Sequence, residues 1–285
     1  MFAPIRILIP DQCWLNAKWP SPTIACTTLV SSKVTSAIWQ ALANAIPERV
    51  TGSTFSEVNW FVAATTDRQG RTNVFSDLPS GGSGGTPYGD GMNVTQDPLG
   101  NCMNMPAESA ELFYPIEYEA YELRPDSAGA GKFRGGLGAV FKCRFLCDGE
   151  LSMETSRTRA GSPGVNGGGS SIPQRASHVA ADGTSKVIGG IKENGEWTNP
   201  LLAGYRFGYD EQFVFETTGG GWGKTGLAVG AFDQQPATCR RMINAISLFL
   251  QYPIKCRIVL AEVMEGASQS TRFCQCERGG AFGGE

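Results

Sequence analysis

Between residues 28 and 46 apolar side chains recur every fourth position: Val30, Val34, Ile38, Leu42 and Ile46 make one stripe, with Ala37, Ala41 and Ala45 beside it. That spacing predicts a helix, capped at Thr27 or Thr28 and stopped by Pro47. Its other positions are Ser, Lys, Gln and Asn rather than strongly charged residues, so the expected helix is mostly buried. Elsewhere the period is close to two. "VNWFVAATT" (58–66) reads as a strand, "DRQGR" (67–71) as a turn and 72–76 as a second strand. "IEYEAYEL" (116–123) alternates until its phase slips at Ala120–Tyr121, which marks a β-bulge. "GAVFKCRFL" (138–146), "CDGE" (147–150) and "LSMETS" (151–156) predict a hairpin turning at Asp148-Gly149. Further strands are predicted at "KVIGG" (186–190) and "EQFVFETT" (211–218).

The punctuation between these elements is glycine. "SGGSGGTPYGDG" (80–91) reads as a flexible loop, "RAGSPGVNGGGSS" (159–171) as a second glycine loop, and "GGGWG" (219–223) closes the strand series. Prolines at 4, 10, 20 and 22 predict extended segments and turns at the start. From about Gly226 the character changes, with one more helix predicted at 236–251 from Met242, Ile246 and Phe249. The fold class that follows is α+β: predominantly antiparallel strands joined by Gly-rich turns, with one buried helix at about 28–46.

Composition narrows the partners. Glycine accounts for 37 of 285 residues without a Gly-X-Y period, which excludes a collagen-like chain and fits many tight turns between short strands. With 24 Lys+Arg against 27 Asp+Glu the net charge is −3, which offers nothing to a nucleic acid backbone. No run of 18 apolar residues exists, so no membrane span is expected. The opening "MFAPIRILIP" has no secretory pattern, and the nine cysteines are scattered apart from Cys274 and Cys276. These features together predict a cytoplasmic protein with reduced thiols.

Candidate chemistry is sparse. "TGGGWGKT" (218–225) nearly fits a phosphate-binding loop, but Thr218 stands where glycine is required and "GLAVGAF" after it is a poor helix. "GAGKFRGG" (129–136) misses the dinucleotide spacing by one residue and lies between two strands. The one histidine, His178, sits in a polar stretch and reads as a solvated surface imidazole, and "CQC" at the tail gives two soft ligands without partners. No metal site is expected in this chain. What remains is a run of carboxylates from Glu108 to Asp126 next to Arg124, Lys132 and Arg134. This is either a salt-bridged strand face or an arginine-bearing turn that grips a carboxylate or amide.

"YPIEYEAYELRPDSAGAGKFRGGLGAVFK" (114–142) resembles the signature block of the hydantoinase B/oxoprolinase family, with Ala128 where that family usually has glycine. "LNAKWPSPTIACTTLVSSKVTSAIWQALANAIPERV" (15–50) and "ETTGGGWG" (216–223) resemble two further family segments, and order and spacing agree from about residue 11 to 223. The resemblance implies a region spanning 1–225, the C-terminal half of a longer family fold, and a divergent tail at 226–285. It also implies an assembly that uses ATP to open a cyclic amide or imide such as 5-oxoproline or a hydantoin. Related assemblies carboxylate ketones, and a catalytically silent scaffold or remnant is the other alternative. ATP would be held by a hydantoinase A-type partner, and a divalent metal by a polypeptide supplying the N-terminal half; neither cofactor is expected on this chain. One departure is "DPLGNCMNMPAESAE" (97–111), where many relatives have a histidine-bearing segment. Within the signature turn, Arg124, Asp126, Lys132 and Arg134 are the catalytic candidates, and Gly129, Gly131, Gly135 and Gly136 the candidate substrate-binding amides. An oxyanion formed on an activated amide needs such donors. The alternative is a structural corner in which Asp126 pairs with Arg134.

Overall fold

The computed structural model describes Ile9, Asp11 and residues 15–21, 26–67 and 69–222. The expected helix at 236–251, the Lys224-Thr225 pair and the tail cysteines lie outside the described residues. The chain divides into two compact units, one of Met1–Lys18 with Ile254–Glu285 and one of Trp19–Pro253. Of the first, an exposed ion pair between Lys18 and Asp11 at 2.9 Å is described. The helices and strands given below belong to the second.

Among the described residues ten strands form two wholly antiparallel sheets. The first sheet contains β1 (Trp60–Thr66), β2 (Thr72–Asp77), β5 (Gly149–Glu154) and β9 (Leu202–Phe207), in the order β2-β1-β5-β9. The second contains β3 (Ile116–Leu123), β4 (Ala139–Phe145), β6 (Arg175–Val179), β7 (Ser185–Ile191), β8 (Trp197–Thr198) and β10 (Gln212–Glu216), in the order β3-β4-β10-β6-β7-β8. Alternation along the strands sets the core. Phe61, Ala63, Leu151 and Met153 point inward from the first sheet, and Phe141, Cys143, Phe145, Phe213 and Phe215 from the second. Phe61 meets Phe141 at 5.3 Å and Phe213 at 4.9 Å between ring centroids, so aromatic rings carry the contact between the sheets. The antiparallel α+β architecture predicted from the sequence is the one observed, and the bulge in β3 falls between Tyr118 and Ala120.

Three local expectations need correction. The predicted hairpin at 138–156 does not form: β4 pairs with β3 and β10, whereas β5 pairs with β1 and β9. The chain arches from one sheet to the other, which sets the apolar faces of β4 and β5 against each other instead of side by side. A tight hairpin turn needs positive φ at Asp148 and Gly149, and neither has it. Gly149 is small because the backbone of Ala64 and the ring of Phe207 approach it.

The predicted buried helix is shorter and turned over. A π-helical segment Cys26–Ser31 leads into α1 (Ser32–Leu42), and the fully buried residues of α1 are Ser32 and Ser36. Ile38, in the middle of the predicted apolar stripe, is exposed. The polar face turns inward because its partners are there: Gln40 Nε2 donates to Ser53 Oγ at 3.1 Å, Lys33 pairs with Glu57, and the Ser36 and Ser56 hydroxyls hydrogen-bond. Its end is anchored by apolar contact through Leu42, Ala43, Ile46, Val50 and Val165. A second helix, α2 (Ala107–Phe113), carries no clear periodic signal; it starts after Pro106 and buries Ala110. Third, the loop at 80–91 is packed rather than free, with Ser80, Gly81, Gly82, Gly84 and Gly85 buried.

The aromatic centre gives a direct test. Phe61→Ala removes a ring that touches Phe75, Phe141 and Phe213. It should cost about 3–5 kcal/mol, read as a lower urea midpoint at unchanged slope.

Candidate functional site

At one end of the sandwich the glycine-rich segments converge on Trp222, which is fully buried. A Cβ on Gly131 would fall on the Trp222 indole, and one on Gly136 would fall on the Met92 carbonyl. Gly129 and Gly135 lie equally close to the carbonyls of Gly169 and Gly220. The backbone amides there are already engaged: Gly129 N donates to Gly220 O at 2.9 Å, Gly136 N to Ser83 O at 2.8 Å and Gly135 N to Gly129 O at 3.2 Å. The four candidate glycines are thus places where backbone packs directly on backbone or on indole. The Gly129 and Gly136 amides point at neighbouring loops and that of Gly135 points back at Gly129 within the turn, so these three are not held open for a ligand.

The four charged candidates do not converge on one another. Arg124 is nearly buried; its Nη1 donates to Pro173 O at 2.8 Å and Thr217 O at 3.0 Å, and its Nε faces Glu216 at 3.5 Å. Burial lowers its pKa, with Glu216 opposing the shift. Arg175 pairs with the same carboxylate at 2.6 Å, and both arginines line a shallow cleft of about 240 Å³ with Gln174 and Ile191. Lys132 is exposed and lies over the neighbouring Phe133 ring. Arg134 pairs with Asp90 at 3.4 Å on the surface. The expected staple between Asp126 and Arg134 is therefore replaced by one to Asp90, because Asp126 sits at φ +53° on the exposed outside of the turn. The corner is instead tied by Ser127, whose Oγ donates to Arg124 O and accepts from Gly138 N, both at 2.8 Å.

Sequence reasoning missed the densest polar cluster, which lies in the segment 53–59 leading into β1. Glu57 has no exposed surface. Its Oε1 accepts from Thr155 Oγ1 at 3.0 Å and from Gln174 Nε2; its Oε2 accepts from Ser156 N at 3.0 Å, Ser156 Oγ and Lys33 Nζ at 3.1 Å. Beside it Thr54 donates to Asp97 Oδ2 at 2.5 Å. Burial pulls the pKa of Arg157 down to about 10, while Glu57 and Asp97 pull it up. Burial likewise lowers Lys33, again opposed by Glu57. Two cations and two carboxylates thus neutralise one another, as groups removed from water must. Ser56 at φ +57° and Arg157 at φ +24° hold left-handed backbone here without being glycine, a strain of order 1 kcal/mol or more each. No periodic or motif signal carries this cluster. A glutamate within "TFSEVN" (54–59), just ahead of a strand, is the one hint in the sequence.

His178 is not a solvated imidazole. It lies on β6 with its side chain 15% exposed; its Nε2 hydrogen-bonds Glu211 Oε2 at 2.8 Å and its Nδ1 hydrogen-bonds Tyr205 Oη at 3.1 Å. The triad joins β6 to β9 and hence sheet to sheet. Among the described residues no group of three or more His, Cys, Asp or Glu can hold a metal ion. The near-match to a phosphate loop has its amides engaged as well, since Gly220 N donates to Gly136 O and Gly221 N to Ser53 O. Among the described residues no helix is long and apolar enough to cross a membrane.

This geometry defines a two-sheet antiparallel domain closed at one end by glycine-packed loops. The family model described as hydantoinase B/oxoprolinase matches residues 1–225, and the chain belongs to that family. It is 32% identical over 155 residues to the B component of a putative D-/L-hydantoinase from Pseudomonas sp. (strain NS671), covering 54% of this chain and 26% of that protein. It is 35% identical over 136 residues to the beta chain of caprolactamase from Pseudomonas jessenii, covering 45% of this chain and 23% of that protein. The aligned segments thus span about a quarter of the length of these relatives. The crystal structure of the ATP-dependent caprolactamase from Pseudomonas jessenii shares the fold, with a TM-score of 0.61 at 24% identity over 74% of this chain and 36% of that one.

Two substitutions test the cluster and the junction. Glu57→Ala, which strands Lys33, should cost about 3–5 kcal/mol in urea unfolding, and Lys33→Met with Glu57→Met together should cost less than Glu57→Ala alone. Gly136→Ala should lower stability by about 1–3 kcal/mol or more, because a Cβ there meets backbone that cannot step aside.

Proposed function

We propose that this chain is a portion of a hydantoinase B-type subunit in an ATP-dependent amidohydrolase that opens a cyclic amide or imide of the 5-oxoproline or hydantoin type. The family match over residues 1–225 carries this reading. The names of its relatives support the substrate class, since hydantoin and caprolactam are both ring amides. A hydantoinase A-type partner would bind the ATP, and a polypeptide equivalent to the remainder of the relatives would complete the assembly and hold the divalent metal. When bound, ATP supplies activation of the amide oxygen. The described residues fit neither nucleotide nor metal, so no step is assigned to them through either group. Their part is architectural: Arg124 ties the signature corner to Pro173 and Thr217, and the glycine junction fixes the loops around it.

The test is ATP turnover by the complete assembly, purified with and without this chain, in the presence of 5-oxoproline, hydantoin, caprolactam or acetophenone. Turnover should rise with a ring amide and only when this chain is present. A response to acetophenone alone would replace the reading with a ketone carboxylase, and no response would leave a scaffold. In the same assay Arg134→Ala should stay within about twofold of the parent, since its exposed pair is worth about 0–1 kcal/mol. Arg124→Ala should instead lower the melting temperature, because it leaves buried carbonyls unpaired.

A further inference from the structure

Between Arg71 and Arg124 the chain has no lysine, arginine or histidine, yet eight carboxylates. The same stretch carries several of the most exposed large apolar side chains: Met103 at 95%, Leu112 at 77% and Phe113 at 69%. Leu112 and Phe113 end α2, which packs on β3 and caps its open edge, Glu111 Oε1 accepting from Tyr118 N at 2.8 Å. Met103 lies beside Asn104, whose Oδ1 accepts from Tyr121 Oη at 3.3 Å, and Tyr121 and Leu123 are themselves exposed on β3. Among the described residues β3 is the outermost strand of its sheet and pairs only with β4. Some acids of the stretch are neutralised from within the domain, Glu119 by Lys142 and Arg144 and Asp90 by Arg134. Glu108, Glu111 and Glu122 are exposed and have no cationic partner among the described residues. An apolar face with a carboxylate rim therefore lies along the β3 edge.

We propose that this face docks a separate polypeptide that presents apolar side chains bordered by lysine and arginine. Charge selects the occupant. An anionic membrane or nucleic acid is repelled by the rim, and a second copy of the chain would set the same carboxylates against themselves. Patches of several large apolar side chains with a polar border mark interaction sites. The relatives carry about three quarters of their length outside the aligned segments, which is material for such a surface. The identity of the partner as the remainder of the hydantoinase assembly rests on the proposed function; the chemistry of the face does not.

The experiment places a benzophenone amino acid at Phe113 or Tyr121 of the full chain, with Leu201 and Tyr209, exposed elsewhere, as controls. Cross-linking is done in the native host, and the joined peptides are identified by mass. One polypeptide should be captured from Phe113 and Tyr121 and not from the controls, through an apolar peptide flanked by lysine or arginine. Glu108→Lys with Glu122→Lys should cut the yield at least about tenfold by placing like charges at the contact. Capture of lipid, of a second copy, of residues 226–285 of the same chain, or of nothing would overturn the inference. Capture of a basic-rimmed partner unrelated to hydantoinase subunits would uphold the docking face and refute the proposed function. Substrate-stimulated ATP turnover without site-specific capture would do the reverse.

Discussion

Direct backbone-on-backbone packing at the glycine junction is the constraint on which the rest of this fold depends. Loops from five parts of the chain meet around the Trp222 indole, largely backbone against backbone, and their polar groups pair with one another. Gly52 N donates to Gly85 O at 2.8 Å, Gly85 N to Gly221 O at 2.9 Å and Gly221 N to Ser53 O at 2.7 Å, a closed circuit. Buried backbone must be paired, and loops outside a sheet ladder find partners only by approaching one another this closely. Glycine carries a conformational cost, which cooperation among the loops offsets. That is the physical role of the glycines at this junction.

The charged cluster follows from the same closure. Segment 51–59 enters the junction at Gly52 and leaves it as β1, so Glu57 is carried into the interior with the backbone. A lone carboxylate there would be prohibitive. Lys33 from α1, Ser156 after β5 and Gln174 before β6 supply its donors, which links three otherwise separate parts of the fold. This also explains why α1 shows its serines to the protein and leaves Ile38 outside. The inward pull on the helix is a charge and hydroxyl network, not an apolar stripe.

What the sequence made legible was local and periodic. β1, β4 and β10 alternate cleanly, and the slipped phase of "IEYEAYEL" did mark a bulge. The failures share one cause. A two-residue period says that a strand has an inner face but not which sheet it joins, so β4 and β5 read as a hairpin when they oppose each other across the core. Apolar spacing says that a helix is amphipathic but not that its polar face is the one with buried partners. Glycine density signals either freedom or close approach, and only the contacts at Gly82 and Gly136 decide for the latter. The Glu57 network joins residues 33, 57, 97, 155 and 174, a separation in sequence that no motif spans.

The most recognisable stretch of the chain is therefore its most structural one. Arg124 engages carbonyls and Glu216, Gly129 and Gly136 donate to neighbouring loops, and Gly135 donates to Gly129 within the turn, so these donors are spent inside the domain. Resemblance at such a turn is strong evidence for fold and family, because the geometry admits few alternatives. It is weak evidence for the location of chemistry. A domain whose interior charges are internally neutralised, and whose signature amides are internally engaged, acts on other molecules through its outer surface. Among the described residues the β3 edge with α2 combines exposed apolar side chains with carboxylates that have no cationic partner, and the proposed docking face lies there, apart from the motif by which the family is recognised.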